Sequence, residues 1–230
     1  MMTISVQSSP VRKLCLAIAT VGVLAVSQGV WACEKPQVSG YDRVDCLSEG
    51  LAIVVKNRKR GFVDKAGQVV VPLQYDSAWS FSEGLAVVMA GGKWGFVDTV
   101  GREVVSPQYD SVNNFSRGFA PVKKGDKWGF VDKTGKEVVS PQYDDFDFFR
   151  ETGLAPVKKG GKWGFIDKTG RAVTPIEYVD LSMSSLNGMT WVQVEGASRY
   201  YVGFIDETGK LAVPAIYASA DDFRGGLLLL

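Results

Sequence analysis

One recurring phrase limits what this chain can fold into more than any other feature. Residues 93–110 read KWGFVDTVGREVVSPQYD, and residues 127–144 read KWGFVDKTGKEVVSPQYD. The residue before the glycine of this phrase is Arg60, Trp94, Trp128, Trp163 and Val202, at spacings of 34, 34, 35 and 39 residues. Self-similarity at such a period marks a stack of small units, none able to bury its own apolar surface alone. Five units result. The fifth is eroded, with an insertion around Gly196–Tyr200, and FRGGLLLL at 223–230 repeats the beginning of a unit.

Inside each unit the pattern is that of strands. Ala86 and Val88 alternate with Leu85, Val87 and Met89, and Trp94 and Phe96 alternate with Gly95 and Val97, a period of two. No helix is expected after residue 33. Five D-x-x-G words, from Asp64–Gly67 to Asp206–Gly209, fit type I turns closed by a left-handed glycine. Their carboxylates can accept the turn's own amides, with calcium binding as the alternative use. Pro121 and Pro156 fall inside first strands, where the missing N–H predicts an unpaired edge. The fold expected is all-β, a tandem array of about five three-stranded antiparallel meanders of roughly 34 residues. An open, solenoid-like array is favoured over a closed, propeller-like ring. The repeat core is Trp94-Gly95-Phe96, Trp128-Gly129-Phe130 and Trp163-Gly164-Phe165. Both faces of this middle strand are apolar, so neighbouring units must cover what each leaves open, and the glycine predicts close approach of another backbone.

Ahead of the repeats, Arg12 and Lys13 precede the uncharged run Leu14–Val26, followed by SQGVWAC. This is the pattern of a secretory signal peptide over residues 1–32. The run is too short for a membrane span, which takes about 20 apolar residues, so no transmembrane segment is expected in the mature chain. Val30-Trp31-Ala32 suits cleavage before Cys33. The mature protein would then comprise a lead-in over 33–48 and the repeat domain over 49–230. An exported compartment permits a Cys33–Cys46 disulfide, and acylation of Cys33 as a lipoprotein is the alternative. Localisation is accordingly periplasmic or secreted, with lipid anchoring as the second possibility. Removing 1–32 turns 26 cations against 25 acids into 24 against 25, which leaves no global field to draw in nucleic acid.

The words KWGFVD, D-x-x-G and P-x-Y-D at this period resemble the WG-repeat family of bacterial proteins, over roughly Tyr41 to Leu230. The resemblance implies an all-β repeat domain and brings no activity with it.

Chemistry is sparse. The chain has no histidine, which excludes Ser-His and Cys-His catalysis, and two cysteines so spaced imply no metal site. Asp144, Asp145 and Asp147 are the remaining candidates for acid–base work, but they read as a solvated turn. The expectation is a noncatalytic protein with no cofactor, a binding or interaction scaffold of the bacterial cell envelope. The alternative is a glycan or cell-wall-binding module using Trp94, Trp128, Trp163 and Tyr109, Tyr143, Tyr178, Tyr217. The sharpest candidate site is a basic rim at equivalent hairpin tips: Arg58, Lys59, Arg60, Lys93, Lys123, Lys124, Lys127, Lys158, Lys159 and Lys162. Asp110, Asp144, Asp145, Asp147, Asp180, Asp221 and Asp222 are expected to gather in the opposite connections. Such a rim suits an acidic envelope protein or an anionic surface polymer.

Overall fold

The computed structural model describes residues 33–183 and 188–218; the leader 1–32, Asp221, Asp222 and the unit-like stretch 223–230 lie outside them. Among the described residues there is no helix, and hence none long and apolar enough to cross a membrane. Five antiparallel sheets follow one another along the chain. The first is β1 (Arg43–Val44), β2 (Leu51–Lys56), β3 (Lys59–Asp64) and β4 (Val69–Tyr75). The second is β5 (Ser77–Ala78), β6 (Leu85–Ala90), β7 (Lys93–Asp98) and β8 (Glu103–Tyr109). The third is β9 (Ser111–Val112), β10 (Phe119–Lys124), β11 (Lys127–Asp132) and β12 (Glu137–Tyr143). The fourth holds β13 (Asp145–Phe146), β14 (Ala155–Lys159) and β15 (Lys162–Ile166). The fifth holds β16 (Asp180–Leu181), β17 (Thr190–Glu195), β18 (Tyr200–Ile205) and β19 (Leu211–Tyr217). Strand order in every sheet is chain order.

Where three strands per unit were expected, four of the five sheets have a fourth. After each P-x-Y the chain crosses to the next sheet, and its backbone groups there need partners. They find them on the first long strand of that sheet, as in Ser77↔Met89 and Ala78↔Val88. This also corrects the reading of the prolines. Pro121 and Pro156 lie in strands flanked on both sides, and their carbonyls accept from Asn113 N at 3.0 Å and Asp147 N at 2.9 Å. The side lacking an N–H faces the two-residue strand just past its end, so no ladder bond is lost. In the fourth sheet the third strand is reduced to bridges at Trp163↔Tyr178 and Ile166↔Ala172. There the proline stands one position early and Thr174 replaces the valine of the other units, its hydroxyl accepting from Phe165 N at 2.9 Å.

The core lies between sheets. Phe62 and Val71 pack with Phe81, Ala86, Val88 and Val97 of the second sheet. Phe96 and Tyr109 pack with Phe115, Ala120 and Val131 of the third, and Phe130 and Tyr143 with Phe149, Ala155 and Ile166 of the fourth. Each long strand therefore turns its larger residues toward the following unit and its smaller ones toward the preceding unit. Edge-on ring pairs seal three interfaces: Phe62–Phe81 at 4.8 Å, Phe96–Phe115 at 5.0 Å and Phe130–Phe149 at 5.1 Å. Such pairs are worth about 0.5–1.5 kcal/mol beyond their area burial.

The first sheet has no preceding unit, and the lead-in takes that place. Tyr41, Val44 and Leu47 cover Ala52, Val54 and Val63, Lys65 pairs with Glu34 at 2.5 Å, and a Cys33–Cys46 disulfide closes the segment. A ring would seat the fifth sheet there. At the other end, Val213 and Tyr217 of β19 are only half-buried, where the equivalent Val71 and Tyr75 of the first sheet are buried. The described residues thus form an open array, capped at its start.

The glycine after each tryptophan has a definite geometric cause. Between Trp128↔Tyr143 and Phe130↔Val139 the third strand carries two extra residues, and this bulge folds its backbone across the glycine. A Cβ on Gly129 would stand 2.3 Å from Val139 O and 2.7 Å from Pro141 N. The D-x-x-G glycines add a second close approach, between units. Gly135, at φ 83°, would place a Cβ 2.6 Å from Val104 O of the preceding sheet.

Gly129→Ala should therefore cost about 3 kcal/mol or more, at the upper end of overpacking, because backbone on both sides must shift. Gly91→Ala, whose Cβ meets nothing within 4 Å, should cost only the roughly 1 kcal/mol of a left-handed alanine. Urea unfolding of both variants checks the contrast; equal losses would contradict it.

Candidate functional site

The hairpin tips do bring the ten basic residues to equivalent positions, but with acids among them. Lys59 pairs with Asp76 at 2.5 Å, Lys93 with Asp110 and Lys127 with Asp144, each from one sheet to the next. The second oxygen of each aspartate accepts a turn amide: Gly91 N at 3.0 Å, Gly125 N at 2.7 Å and Gly160 N at 2.6 Å. Lys162 pairs with Glu195 at 2.7 Å and Lys124 with Glu137 at 3.0 Å. Lys159 donates to Gln142 at 3.1 Å and Arg60 to Ser77. Lys123 and Lys158 lie over Trp128 and Trp163 at 5.5 and 5.4 Å. Arg58 alone has no side-chain partner among the described residues. The expected segregation of charge is thus overturned: Asp110 and Asp144 belong to the rim, because the residue after P-x-Y already hydrogen-bonds into the next sheet. Five of the ten cations, Lys59, Lys93, Lys124, Lys127 and Lys162, are thus paired with carboxylates, four of them from one unit to the next.

The repeat aromatics are structural in their placement. Tyr109, Tyr143, Tyr178 and Trp163 are buried, Trp94 and Trp128 half-buried, and Phe96, Phe130 and Phe165 fully enclosed. Tyr75 and Tyr109 donate to Glu103 at 2.8 Å and Glu137 at 2.7 Å of the following unit. Burial and then that carboxylate push the Tyr75 phenol up to about 12. The D-x-x-G carboxylates are occupied as well. Asp132 accepts from Thr134 N at 2.9 Å, Thr134 Oγ1 at 2.6 Å and Lys136 N at 3.1 Å, which is turn chemistry. Asp145 and Asp147 each accept the amide of the following residue, at 2.9 and 2.8 Å.

A different set of residues stands out once the units are superposed by their hydrogen bonds. Asp45, Trp79, Asn113 and Asp147 donate their amides to Ile53 O, Val87 O, Pro121 O and Pro156 O, so they hold one and the same position. Cys46, Ser80, Asn114 and Phe148 hold the next. Strands and turns on either side are closely copied from unit to unit, while the first of these positions reads Asp, Trp, Asn, Asp and the second Cys, Ser, Asn, Phe. The loops form a column, and a cleft of about 280 Å³ opens along it, lined by Trp79, Asn113, Asn114, Phe115, Ser116 and Phe148. Periodicity does not mark this column, because only recurring residues contribute to it. The usable signal was the reverse, two adjacent positions that change where the frame around them repeats.

A family model described as WG containing repeat matches residues 61–94, 94–128, 128–163, 163–196 and 203–229. No curated protein matches. Among solved structures, Hsv2 of Kluyveromyces marxianus is similar at 14% identity and a TM-score of 0.40, covering 75% of this chain and 64% of its own. A eukaryotic initiation factor matches at 11% identity and a TM-score of 0.44, with 76% and 56% covered. PorZ, a surface component of the type-IX secretion system of Porphyromonas gingivalis, matches at 9% and 0.33, with 77% and 26% covered. The chain spans less than two thirds of the length of each.

The rim has a pH signature. Asp76, Asp110 and Asp144 are held below the ordinary 3.8, first by the paired lysine and then by the glycine amide. A carboxyl whose folded value is depressed contributes stability that is fully present above 3.8 and lost as pH falls through that value toward the lower folded one. The pairs are exposed, so each effect is screened. With no histidine in the chain, the melting temperature should be nearly flat between about pH 5 and 8 and fall below that plateau in acid. A loss of stability beginning near neutrality would contradict this account, and Asp110→Asn should lower the plateau itself.

Proposed function

The chain belongs to the WG-containing repeat family, and on that premise we propose that it is an exported, noncatalytic binding scaffold of the bacterial cell envelope. One observation carries the reading: two adjacent loop positions change from unit to unit, most sharply at Trp79, Asn113, Asn114 and Phe148, while the strands and turns holding them are closely copied. A rigid frame with variable loops on one line is how repeat proteins keep architecture constant and change contacts. Export is supported by the charged-then-apolar pattern of residues 12–26 and by the Cys33–Cys46 disulfide, which suits an oxidising compartment. That bond occupies the sulfur a lipid anchor would need, which favours a periplasmic or secreted protein over one tethered at Cys33. The absence of histidine and the engagement of Asp144, Asp145 and Asp147 with backbone amides favour binding over catalysis. With Lys59, Lys93, Lys124, Lys127 and Lys162 engaged by carboxylates, the rim is a weaker candidate for an anionic polymer, and the contact proposed is an envelope component met at the loop column.

Two measurements test this. Intact mass of the exported protein should correspond to a chain beginning at Cys33, oxidised and without a diacylglycerol adduct; retention of residues 1–32 or an acylated Cys33 would remove the export route proposed. A photo-reactive phenylalanine analogue in place of Ser80 or Asn114 should cross-link to an envelope component in intact cells, whereas one in place of Gly92 or Asp126 at the rim should not. Equal cross-linking from both places, or from neither, would sink the scaffold reading.

A further inference from the structure

We propose that the cleft on the loop column binds one neutral sugar ring of an oligosaccharide. This deepens the scaffold reading and rests on it, since it takes the column as the binding face. Trp79 comes from the second sheet, Asn113 and Asn114 from the third and Phe148 from the fourth, so three units build one cleft. No charged side chain lines it. Of its three aromatic rings Phe115 is buried, and the other two pack on neighbouring rings, Trp79 against Trp94 at 5.3 Å and Phe148 against Phe146 at 5.7 Å. Rings fixed in advance lose little freedom on binding. Phe148 keeps 37% of its surface exposed, a face onto which the C–H side of a pyranose can settle.

The polar groups complete the chemistry. The carboxamides of Asn113 and Asn114 have no hydrogen-bond partner among the described residues, and each offers both donors and an acceptor, which a sugar hydroxyl can use in either sense. Ser116 adds a hydroxyl by a break in the repeat. Ser48 and Ser82 donate to Phe81 O at 3.0 Å and Phe115 O at 3.2 Å of the next unit. At the following step the loop is one residue longer and Arg150 stands where serine would, donating to Ser182 O and Thr190 Oγ1. Ser116 Oγ is left without an acceptor among the described residues, and the cleft opens against it. Apolar walls with a few convergent neutral polar groups are the makeup of a small-molecule site. The volume of about 280 Å³ suits one ring, with neighbouring sugars running out over the loops. A second cavity shares Phe148 but is lined by Arg117, Arg150 and Glu151, so charge separates the two.

The test is calorimetric titration of the oxidised mature protein with chitotriose and with cellotriose, beside an oligogalacturonide as the anionic control. The expected result is saturable binding of at least one neutral trisaccharide with a Kd of about 1 mM or tighter, insensitive to salt. Phe148→Ala and Asn114→Ala, both at exposed positions, should each weaken it roughly tenfold or more while keeping the parent melting temperature. Trp79→Ala should abolish it, and the two exposed variants keep the outcome readable if that change costs folding. No binding of either neutral sugar, binding unchanged in both exposed variants, or salt-sensitive binding of the anionic sugar alone would each overturn the proposal. Column cross-links in cells together with absent sugar binding would remove the sugar site and leave the scaffold standing.

Discussion

The carbonyl oxygen of Val139 stands where any side chain at position 129 would have to begin, 2.3 Å from an ideal Cβ. The same relation joins Gly95 to Val105 O at 2.3 Å and Gly61 to Val71 O at 2.4 Å. Because the glycine admits the bulge, the third strand can bend across the middle one and still return to register, with Tyr109 opposite Trp94 and Tyr143 opposite Trp128. The tyrosine then lies at the sheet's forward face, and the chain leaves it already aimed at the next sheet. Without that approach the third strand would run straight on and the step to the next unit would be lost.

Everything that joins units builds on this step. The turn glycine of one unit rests on a carbonyl of the unit before it, the tyrosine phenol reaches a glutamate of the unit after it, and the lysine that opens a middle strand meets an aspartate of the next sheet. Glu83 adds a further tie, accepting Arg117 N at 2.6 Å and Gly118 N at 2.9 Å. None of these contacts is strong alone. Stacked along an array they act as nearest-neighbour terms, and the stability of the whole is close to their sum with the apolar interfaces. The lead-in segment supplies the missing neighbour for the first sheet, and the disulfide holds it there.

Copying and variation are separated in space. Much of the rim is occupied with holding the array together: half of its cations meet carboxylates, so a surface that looks uniformly basic along the chain is mixed in three dimensions. The loop column bears little of that duty: its backbone is tied down by the amide at its first position, and its side chains are left to vary. Trp79, Asn113 and Asp147 share a backbone hydrogen bond and nothing else.

Period, strand content, turn type and the two-faced middle strand were all legible in the chain, because each depends on residues within one unit. The need for glycine beside tryptophan was legible too. Three matters were decided only by the tertiary structure. The partners of the rim lysines lie 17 residues away, as in Lys93 and Asp110, and belong to a sheet whose boundary falls just before the aspartate. The fourth strand arises where the chain changes sheets, a place periodicity does not mark. The cleft joins side chains from three units whose distance along the chain carries no information about their distance in space. Repetition along the chain told how a unit folds; which residues of different units meet depends on how the sheets stack, and stacking is set by backbone approaches that only the folded chain contains.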